Sequence, residues 1–268
     1  MQATATITHP LAGFTGPVDI VQTPMNNNAH RPTDGHDWRD IDHWIFDLDN
    51  TLYHHSYDLF SQVEKLMTLF VMEKLQLPAD EARALQKKYF YAHGTTLKGL
   101  MDHHQIDPDE YLARVHEIDY NILPRNELLA QQLQQLTGQK YIFTNGNHAH
   151  VVATLERLGV PLSLFDGVVD IKKTSYIPKP QRAAYESFFS YHPVKDKRRV
   201  VMIDDIADNL KVAKEMGLRT VWLRGDSHPN NPVGGAALHP HLDLAIDHVG
   251  QLLMQVLGAG MNNTVIKK

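Results

Sequence analysis

Runs of β-branched and aromatic residues recur along the chain and predict buried strands. They lie at 44–47, 140–145, 167–171, 199–205, 219–223 and 242–247. Several of these runs are almost continuously apolar, as is typical of strands that are covered on both faces of a parallel sheet. Helical patterns separate the later runs, at 148–158, 181–189 and 207–216. This alternation predicts an α/β fold with a doubly wound, mostly parallel, Rossmann-like sheet.

A long helical interval interrupts the alternation between the first two strands. From 57 to 136 the pattern is helical, and about 80 residues are too many for an ordinary crossover. We therefore predict a helical insert, residues 57–136, that forms a small second domain. The core would then consist of 39–56 and 137–258. Flexible tails are predicted at 1–38 and 259–268, and the first of them is polar with little periodicity.

Composition narrows the classes of function. The net charge of −5 and the lack of a basic cluster argue against a nucleic-acid polymer as partner, whereas a small phosphorylated metabolite needs only a few donors. Without cysteine, thiolate catalysis and cysteine-ligated zinc are excluded, and the 17 histidines show no metal-binding spacing. No apolar run long enough for a membrane span and no secretory signal is visible, so we expect a cytoplasmic protein. The sequence predicts no oligomeric state.

Polar and charged side chains follow the predicted strands. The stretch HWIFDLDNTLY, residues 43–53, ends in two carboxylates spaced two apart. Ligands bind outside the carboxyl ends of parallel strands, so the residues that follow each strand are expected to gather at one edge of the sheet. These residues are Asp47, Asp49 and Thr51 after the first strand, Thr144, Asn145 and Gly146 after the second, Lys179 between two prolines, and Asp204, Asp205, Asp208 and Asn209 after the fourth.

Several carboxylates with little positive charge nearby favour a hard cation, and an oxygen-only ligand set suits Mg²⁺. A carboxylate that the metal does not need can attack phosphorus to form an aspartyl-phosphate, and a second can transfer the proton; Asp47 and Asp49 fit these roles. The Thr144 hydroxyl and the backbone N–H groups of Asn145 and Gly146 would bind phosphoryl oxygens. Lys179 would offset the negative charge. Each piece alone could equally be a solvated turn, and their order along the chain favours a site.

Four motifs carry a resemblance to a known family. DLDNT at 47–51, TNG at 144–146, PKP around Lys179 and DDIADN at 204–209 resemble, in order, motifs one to four of the haloacid dehalogenase (HAD) superfamily. The resemblance covers about residues 43–250, and the helical insert corresponds to the cap of that superfamily's phosphatases.

The resemblance implies a role for each motif residue. Asp47 would be the nucleophile and also a metal ligand, Asp49 the general acid and base whose backbone carbonyl also faces Mg²⁺, and Thr144 the phosphate-binding hydroxyl. Lys179 would steady the nucleophile and the phosphoryl group. Asp204 would be a metal ligand, with Asp205 and Asp208 supporting it. The metal-free dehalogenases of the superfamily lack the acid equivalent to Asp49, so its presence implies phosphoryl transfer.

Within the superfamily the chain looks most like the pyrimidine 5′-nucleotidase group. DLDNTLYHHS, YAHGTTLKGLM at 91–101 and FTNGNHAHVVATLERLGV at 143–160 carry this similarity. It implies a Mg²⁺-dependent phosphoric monoester hydrolase that acts on UMP or CMP. The candidates for contact with the ribose or the base are Tyr53, His54, Tyr89, His93, Thr95, Thr96 and Lys98. Of these, Tyr89 could equally be a packing residue, because its position fits the spacing of a predicted helix.

Other functions remain open at the level of the sequence. The same residues would serve a phosphatase or mutase of sugar phosphates or phosphoglycolate. A non-catalytic HAD-fold binding protein is a more distant alternative, since Asp47, Asp49, Lys179 and Asp204 are all present. A signalling receiver domain is disfavoured, because its acid pair and acceptor would come in a different order and without an insert of this length.

Overall fold

A parallel sheet forms the centre of the computed structural model, which describes residues 38–224 and 239–261. Within these residues the sheet has six strands in the order β3-β2-β1-β4-β5-β6, and every neighbouring pair is parallel. The strands are β1 His43–Phe46, β2 Gln139–Phe143, β3 Gly167–Val169, β4 Val200–Asp204, β5 Arg219–Leu223 and β6 Leu244–Ile246. This order confirms the predicted doubly wound α/β fold. Each strand lies within a predicted run or overlaps it.

Helices fill the connections between the strands. In chain order they are α1 Leu59–Leu75, α2 Ala79–His93, α3 Thr96–His104, α4 Pro108–Val115, α5 Glu127–Gln135, α6 His148–Leu158, α7 Arg182–Tyr191, α8 Ala207–Glu215 and α9 Val249–Met261. Gly159 ends α6 in the left-handed region at φ 73°, where its N–H closes the last turn on Glu156 O. The two predicted tails lie outside the described residues, apart from Trp38 and the end of α9. Helix α9 continues past the predicted boundary at 258.

Side chains on the two faces of the sheet belong to two separate apolar clusters. Along β1, Trp44 and Phe46 join one cluster and Ile45 joins the other. Helices α5, α6 and α9 contribute to the first cluster, and α7 and α8 contribute to the second. Burial on both faces explains why the strand runs are almost continuously apolar, since neither face can carry an unpaired polar group cheaply. The polar residues that follow each strand are left at the carboxyl edge.

The helical insert has an apolar cluster of its own, to which α1, α2, α3 and α4 contribute buried residues. Helix α5 differs from the prediction, which placed it in the insert. Leu129 and Leu133 of α5, together with Leu136, are buried in the first cluster of the sheet. Their apolar face matches the sheet rather than the other helices, so by packing the insert ends before α5. The division of the chain into two domains stays a prediction.

The helical insert sits on the segment 171–181, which follows β3. Ile171 is buried in the apolar cluster of the insert, and Tyr176 packs against it. Tyr176 also donates to Asp109 Oδ1 at 2.9 Å. At the end of α2, Gly94 adopts φ +86° and comes so close that an added Cβ would lie 3.1 Å from Lys179 O. The end of α2 therefore lies directly against the backbone of Lys179.

Candidate active site

Three side chains from different parts of the chain meet at the carboxyl edge of the sheet. Asp47 follows β1 and Asp204 ends β4. The two strand ends are level, since the Asp47 N–H donates to Ile203 O at 2.9 Å. The Lys179 Nζ lies 2.8 Å from Asp47 Oδ1 and 2.7 Å from Asp204 Oδ2. Only 1% of Lys179 is exposed, so the ion pairs are shielded from solvent.

Burial dominates the electrostatics of this group. It raises the pKa of Asp47 to about 7 against the opposing effect of Lys179, and the charge of Asp204 adds to the shift. Burial also raises the pKa of Asp205 well above its usual range, with repulsion by Asp204 and Asp47. For Lys179 burial acts to lower the pKa, but attraction to Asp204 and Asp47 raises it overall, so the ammonium stays charged. One ammonium thus faces three buried carboxylates, and a cation would neutralise the excess.

The carboxylates of Asp47, Asp204 and Asp205 could hold a metal ion. One oxygen from each lies within 4.8 Å of the others, and all three residues are buried. Because the donor set contains only oxygen, it fits Mg²⁺. Asp204 already accepts hydrogen bonds from three protein donors: the Ile206 N–H, the Asn209 amide and Lys179. At Asp205 the Oδ2 accepts a longer bond, 3.4 Å, from Asn50.

Asp208 was predicted to support the metal, and the structure does not place it in this group. Helix α8 begins at Ala207, and successive helical residues point about 100° apart. As a result Asn209, one position later, turns its amide towards Asp204 at 2.9 Å. The side chain of Asp49 also lies outside the group of possible ligands, so only its backbone carbonyl is left for the predicted metal contact.

Asp49 is held by two donors at a single oxygen. The Tyr53 hydroxyl donates to Asp49 Oδ1 at 2.6 Å, and His150 Nε2 lies 2.8 Å from the same atom. Burial acts to raise the pKa of Asp49, but the charge and hydrogen bond of His150, together with the Tyr53 hydroxyl, lower it overall. Asp49 is therefore a carboxylate in the resting site. Tyr53 was predicted to meet the substrate, but the helical turn at 48–52 directs it into the core, where it is 4% exposed.

His150 is a site residue that the sequence did not identify. It lies on the first turn of α6, where its N–H donates to the N-cap side chain of Asn147 at 2.8 Å. Its ring stacks on His116, with centroids 4.3 Å apart, and its Nδ1 is 2.9 Å from the Tyr120 hydroxyl. Burial, with the neighbouring His150, lowers the pKa of His116 to about 3, so His116 is a neutral ring. The only signal in the sequence was its position one turn after TNG.

The turn after β2 forms one wall of the site. The Gly146 N–H donates to Thr144 Oγ1 at 2.9 Å, so the hydroxyl group lies within the turn. The side chain of Asn145, a residue whose backbone N–H was predicted to bind phosphate, accepts from the Lys179 N–H at 2.9 Å and donates to Lys179 O at 3.1 Å. This pair of bonds fixes the backbone that carries the lysine. The Thr144 hydroxyl only accepts within the turn, so it keeps its own proton to donate to a phosphate.

A cavity of about 400 Å³ joins the carboxyl edge to the helical insert. On one side it is lined by Asp47, Asp49, Asp205 and Thr144–Gly146, and on the other by side chains of α1, α2, α3 and α4. Among the predicted substrate contacts, Thr95 and Thr96 line it. Both hydroxyls have protein partners: Thr95 Oγ1 accepts from the Lys98 N–H, and Thr96 Oγ1 donates to Gln86 O.

The other substrate candidates do not line this cavity. His54 bonds Ser56, and Lys98 pairs with Asp102. Tyr89 and His93 lie on the face of α2 that is turned towards α3, and the Tyr89 hydroxyl is 2.7 Å from His104 Nε2. The cavity instead receives the neighbouring face of α2, with Gln86, Lys87, Phe90 and Tyr91. Helical spacing identified α2, but not the face of it that meets a ligand.

Comparisons with known proteins agree with this geometry. A family model described as haloacid dehalogenase-like hydrolase matches residues 41–217. Phosphate metabolism protein 8 of Saccharomyces cerevisiae is 27% identical over an alignment of 192 residues, gaps included, that covers 65% of this chain and 59% of that protein. The chain thus matches less than two thirds of the length of this relative.

Similar solved structures show the same fold. The magnesium-bound HAD-hydrolase YfnB from Bacillus subtilis has a TM-score of 0.52 at 17% identity, with 81% of this chain and 98% of that chain covered. A HAD phosphatase from Thermococcus onnurineus has a TM-score of 0.52 at 19% identity over the same shares. L-2-haloacid dehalogenases also share the fold. Across 38–224 and 239–261, no helix is long and apolar enough to span a membrane. The chain belongs to the haloacid dehalogenase-like hydrolase family.

Proposed function

We propose that this hydrolase cleaves small phosphomonoesters with Mg²⁺, through an aspartyl-phosphate on Asp47. The observation that carries the proposal is the group of three buried carboxylates around one ammonium, with a fourth carboxylate, Asp49, on the same cavity. Displacement of a halide needs only one nucleophilic carboxylate. An excess of buried negative charge beside a second acid instead suits a site that takes a cation and a phosphate.

The roles follow from the positions of the side chains. A carboxylate oxygen of Asp47 attacks phosphorus, the bond from phosphorus to the leaving oxygen breaks, and Asp49 gives that oxygen a proton. In the second step Asp49 takes a proton from water, the water oxygen attacks the same phosphorus, and the bond from phosphorus to the Asp47 oxygen breaks, which releases inorganic phosphate and restores the Asp47 carboxylate. Lys179 holds Asp47 Oδ1 and offsets the charge. The lowered pKa of Asp49 suits the second step, so its proton for the first must be gained as the phosphate anion arrives.

Among the acids, Asp47 and Asp205 are the carboxylates that we assign to the metal. Asp204 would instead orient Lys179 and Asn209, because both its oxygens already accept hydrogen bonds from the protein. Mg²⁺, when bound, would neutralise the carboxylates and the phosphoryl oxygens. This assignment exchanges the roles that the resemblance implied for Asp204 and Asp205.

Protons and Mg²⁺ are expected to compete for these carboxylates. Since burial raises the pKa of Asp47 to about 7, the metal must displace a proton below that pH. The apparent affinity for Mg²⁺ should rise by about tenfold per pH unit below pH 7, and more steeply where Asp205 also binds a proton. Calorimetric titration near pH 6, in two buffers of different ionisation enthalpy, should show at least about one proton released per metal. An affinity that does not change with pH would contradict the assigned ligands.

Pyrimidine nucleoside monophosphates such as UMP and CMP are the proposed substrates. A cavity of about 400 Å³ is of the size that accepts a small ligand. Phe60 and Phe90 on its insert side offer apolar faces for a flat base, and the Gln86 amide, which bonds Thr68 and Met67, keeps a second N–H for a polar contact. Sugar phosphates and phosphoglycolate are the alternative, but they present little apolar surface to such a wall.

The test is phosphate release from UMP, CMP, AMP, GMP, several sugar phosphates and phosphoglycolate, each with Mg²⁺ and with a chelator. Chloride release from 2-chloropropionate is measured in parallel. Release led by UMP and CMP, and lost with chelator, is the expected result. Preference for sugar phosphates would keep the chemistry and reject the pyrimidine substrate. Chloride release without phosphate release would reject the phosphatase.

A further inference from the structure

The two oxygens of the Asp49 carboxylate are in different surroundings. Oδ1 accepts from Tyr53 at 2.6 Å and contacts His150 Nε2 at 2.8 Å. Oδ2 takes part in none of the hydrogen bonds described for 38–224 and 239–261, and it faces the turn at Gly146, where an added Cβ would be 3.9 Å away. One oxygen is therefore fixed, and the other is turned towards the wall where a phosphate would bind.

The direction of each hydrogen bond follows from the chemistry of the groups. A carboxylate can only accept, so His150 must carry a proton on Nε2. In the neutral form of the ring Nδ1 accepts from the Tyr120 hydroxyl at 2.9 Å, and in the charged form Nδ1 donates to the same hydroxyl. In both forms Tyr120 therefore holds the ring in the orientation in which Nε2 donates to Asp49. The side chain of His150 is fully buried, so neither bond is weakened by water.

The ring of His150 is also confined on its faces and edge. His116 stacks on it with an interplanar angle of 18°. Its Cδ2 lies 3.2 Å from the place that a Cβ at Gly146 would occupy, so a larger residue in the turn would displace the ring. A ring that is held on three sides can keep a hydrogen-bond partner in a single orientation.

We propose that His150 is the positioning residue for Asp49: with Tyr53 it fixes Oδ1, so that Oδ2 faces the leaving oxygen and then the attacking water. This inference rests on the proposed role of Asp49 in phosphoester cleavage. Proton transfer needs the two heavy atoms at hydrogen-bond distance, and a carboxylate free to rotate would meet this condition only part of the time.

Two esters of nearly the same shape separate this role from a structural one. The leaving group of 4-nitrophenyl phosphate is a stable anion that needs little protonation, whereas that of phenyl phosphate has a pKa near 10 and depends on an acid. A variant with a misoriented Asp49 should therefore lose more activity on phenyl phosphate. The ratio of the two kcat/KM values reports the phosphorylation step, and a general distortion of the site would leave this ratio unchanged.

The variant to test is His150→Met, which keeps the volume and removes the donor. Its kcat/KM should fall by about 30-fold on phenyl phosphate and by less than about threefold on 4-nitrophenyl phosphate. His150→Gln, whose amide can still donate, should recover most of the loss. The matched control is His148→Met, at an exposed position on the same helix, and it should change neither value. If His150→Met does not fold, Tyr120→Phe removes only the hydroxyl and should change the ratio in the same direction.

Equal losses on the two esters, or no loss, in folded His150→Met would overturn the positioning role. This outcome differs from a failure of the proposed function, in which the wild-type protein would release phosphate from neither ester.

Discussion

Replacement of Asp47 by asparagine is expected to abolish phosphate release and to leave the fold intact. The amide has no anionic oxygen to attack phosphorus, so turnover should fall by at least about a thousandfold. Stability should change little, because Asn has the same shape and burial already disfavours the Asp47 charge, as its pKa of about 7 indicates. Phosphate release from UMP with Mg²⁺ gives the first quantity, and thermal unfolding gives the second.

The matched control for this variant is Asp80→Asn, which makes the same change at an exposed position of α2. It should keep activity within about twofold, since surface substitutions away from a site have small effects. Turnover of Asp47→Asn near the wild-type value would remove Asp47 from the role of nucleophile, and the attacking group would then have to be another acid of the cavity.

Replacement of Lys179 by methionine should give the largest loss of stability. The ammonium is the cation that Asp47 and Asp204 share, and without it two buried carboxylates face each other. Breaking a buried ion pair in this way costs about 3–5 kcal/mol in the free energy of unfolding. Urea unfolding near pH 8 with a chelator measures this loss in the free energy of unfolding. Mg²⁺ in place of the chelator should restore part of it.

The pH dependence of the Lys179→Met variant has a definite sign. In the wild-type protein Lys179 opposes the rise in the pKa of Asp47, so its removal moves that pKa further above the value in the unfolded chain. Between the two values the folded state binds more protons, and stability therefore increases as pH falls. The defect should be smaller near pH 5.5 than near pH 8.

The control for this variant is Lys172→Met, which removes an exposed ion pair with Asp109 and should change the free energy of unfolding far less. A loss for Lys179→Met that equals that of Lys172→Met at every pH would mean that the buried carboxylates gain little from the ammonium.

Local patterns in the sequence were enough to predict the parts of the fold that burial determines. Apolar runs such as 199–205 correspond to strands because both faces of the sheet are covered, and a parallel sheet places the ends of its strands along one edge. That rule alone brings Asp47, Asp204 and Asp205 together. The order of the motifs then identified Lys179, although its partners are 132 and 25 residues away.

Contacts that depend on the choice of a helix face could not be read from the sequence. Tyr89 and Gln86 lie on one helix, and packing decides which of them meets a ligand. An added Cβ at Gly99 would lie only 2.3 Å from the Tyr89 ring, so the glycine makes room for Tyr89 against α3. The pairing of His150 with Asp49 joins positions 101 apart, and no periodicity links them. The packing of α5 against the sheet could not be read from the sequence either, because its ordinary amphipathic pattern suits either partner.

The contact between the helical insert and the segment 171–181 affects how chains with this fold acquire new substrates. Gly94 presses on the backbone of Lys179, and Tyr176 reaches from the same segment to Asp109. An insert from another protein would therefore have to be transferred together with its own equivalent of 171–181. Without that segment, it would pack against a surface that fits different helices. The helical insert and the stretch that carries Lys179 would then be inherited as one unit, and chimeras that exchange the insert alone would disturb the position of Lys179.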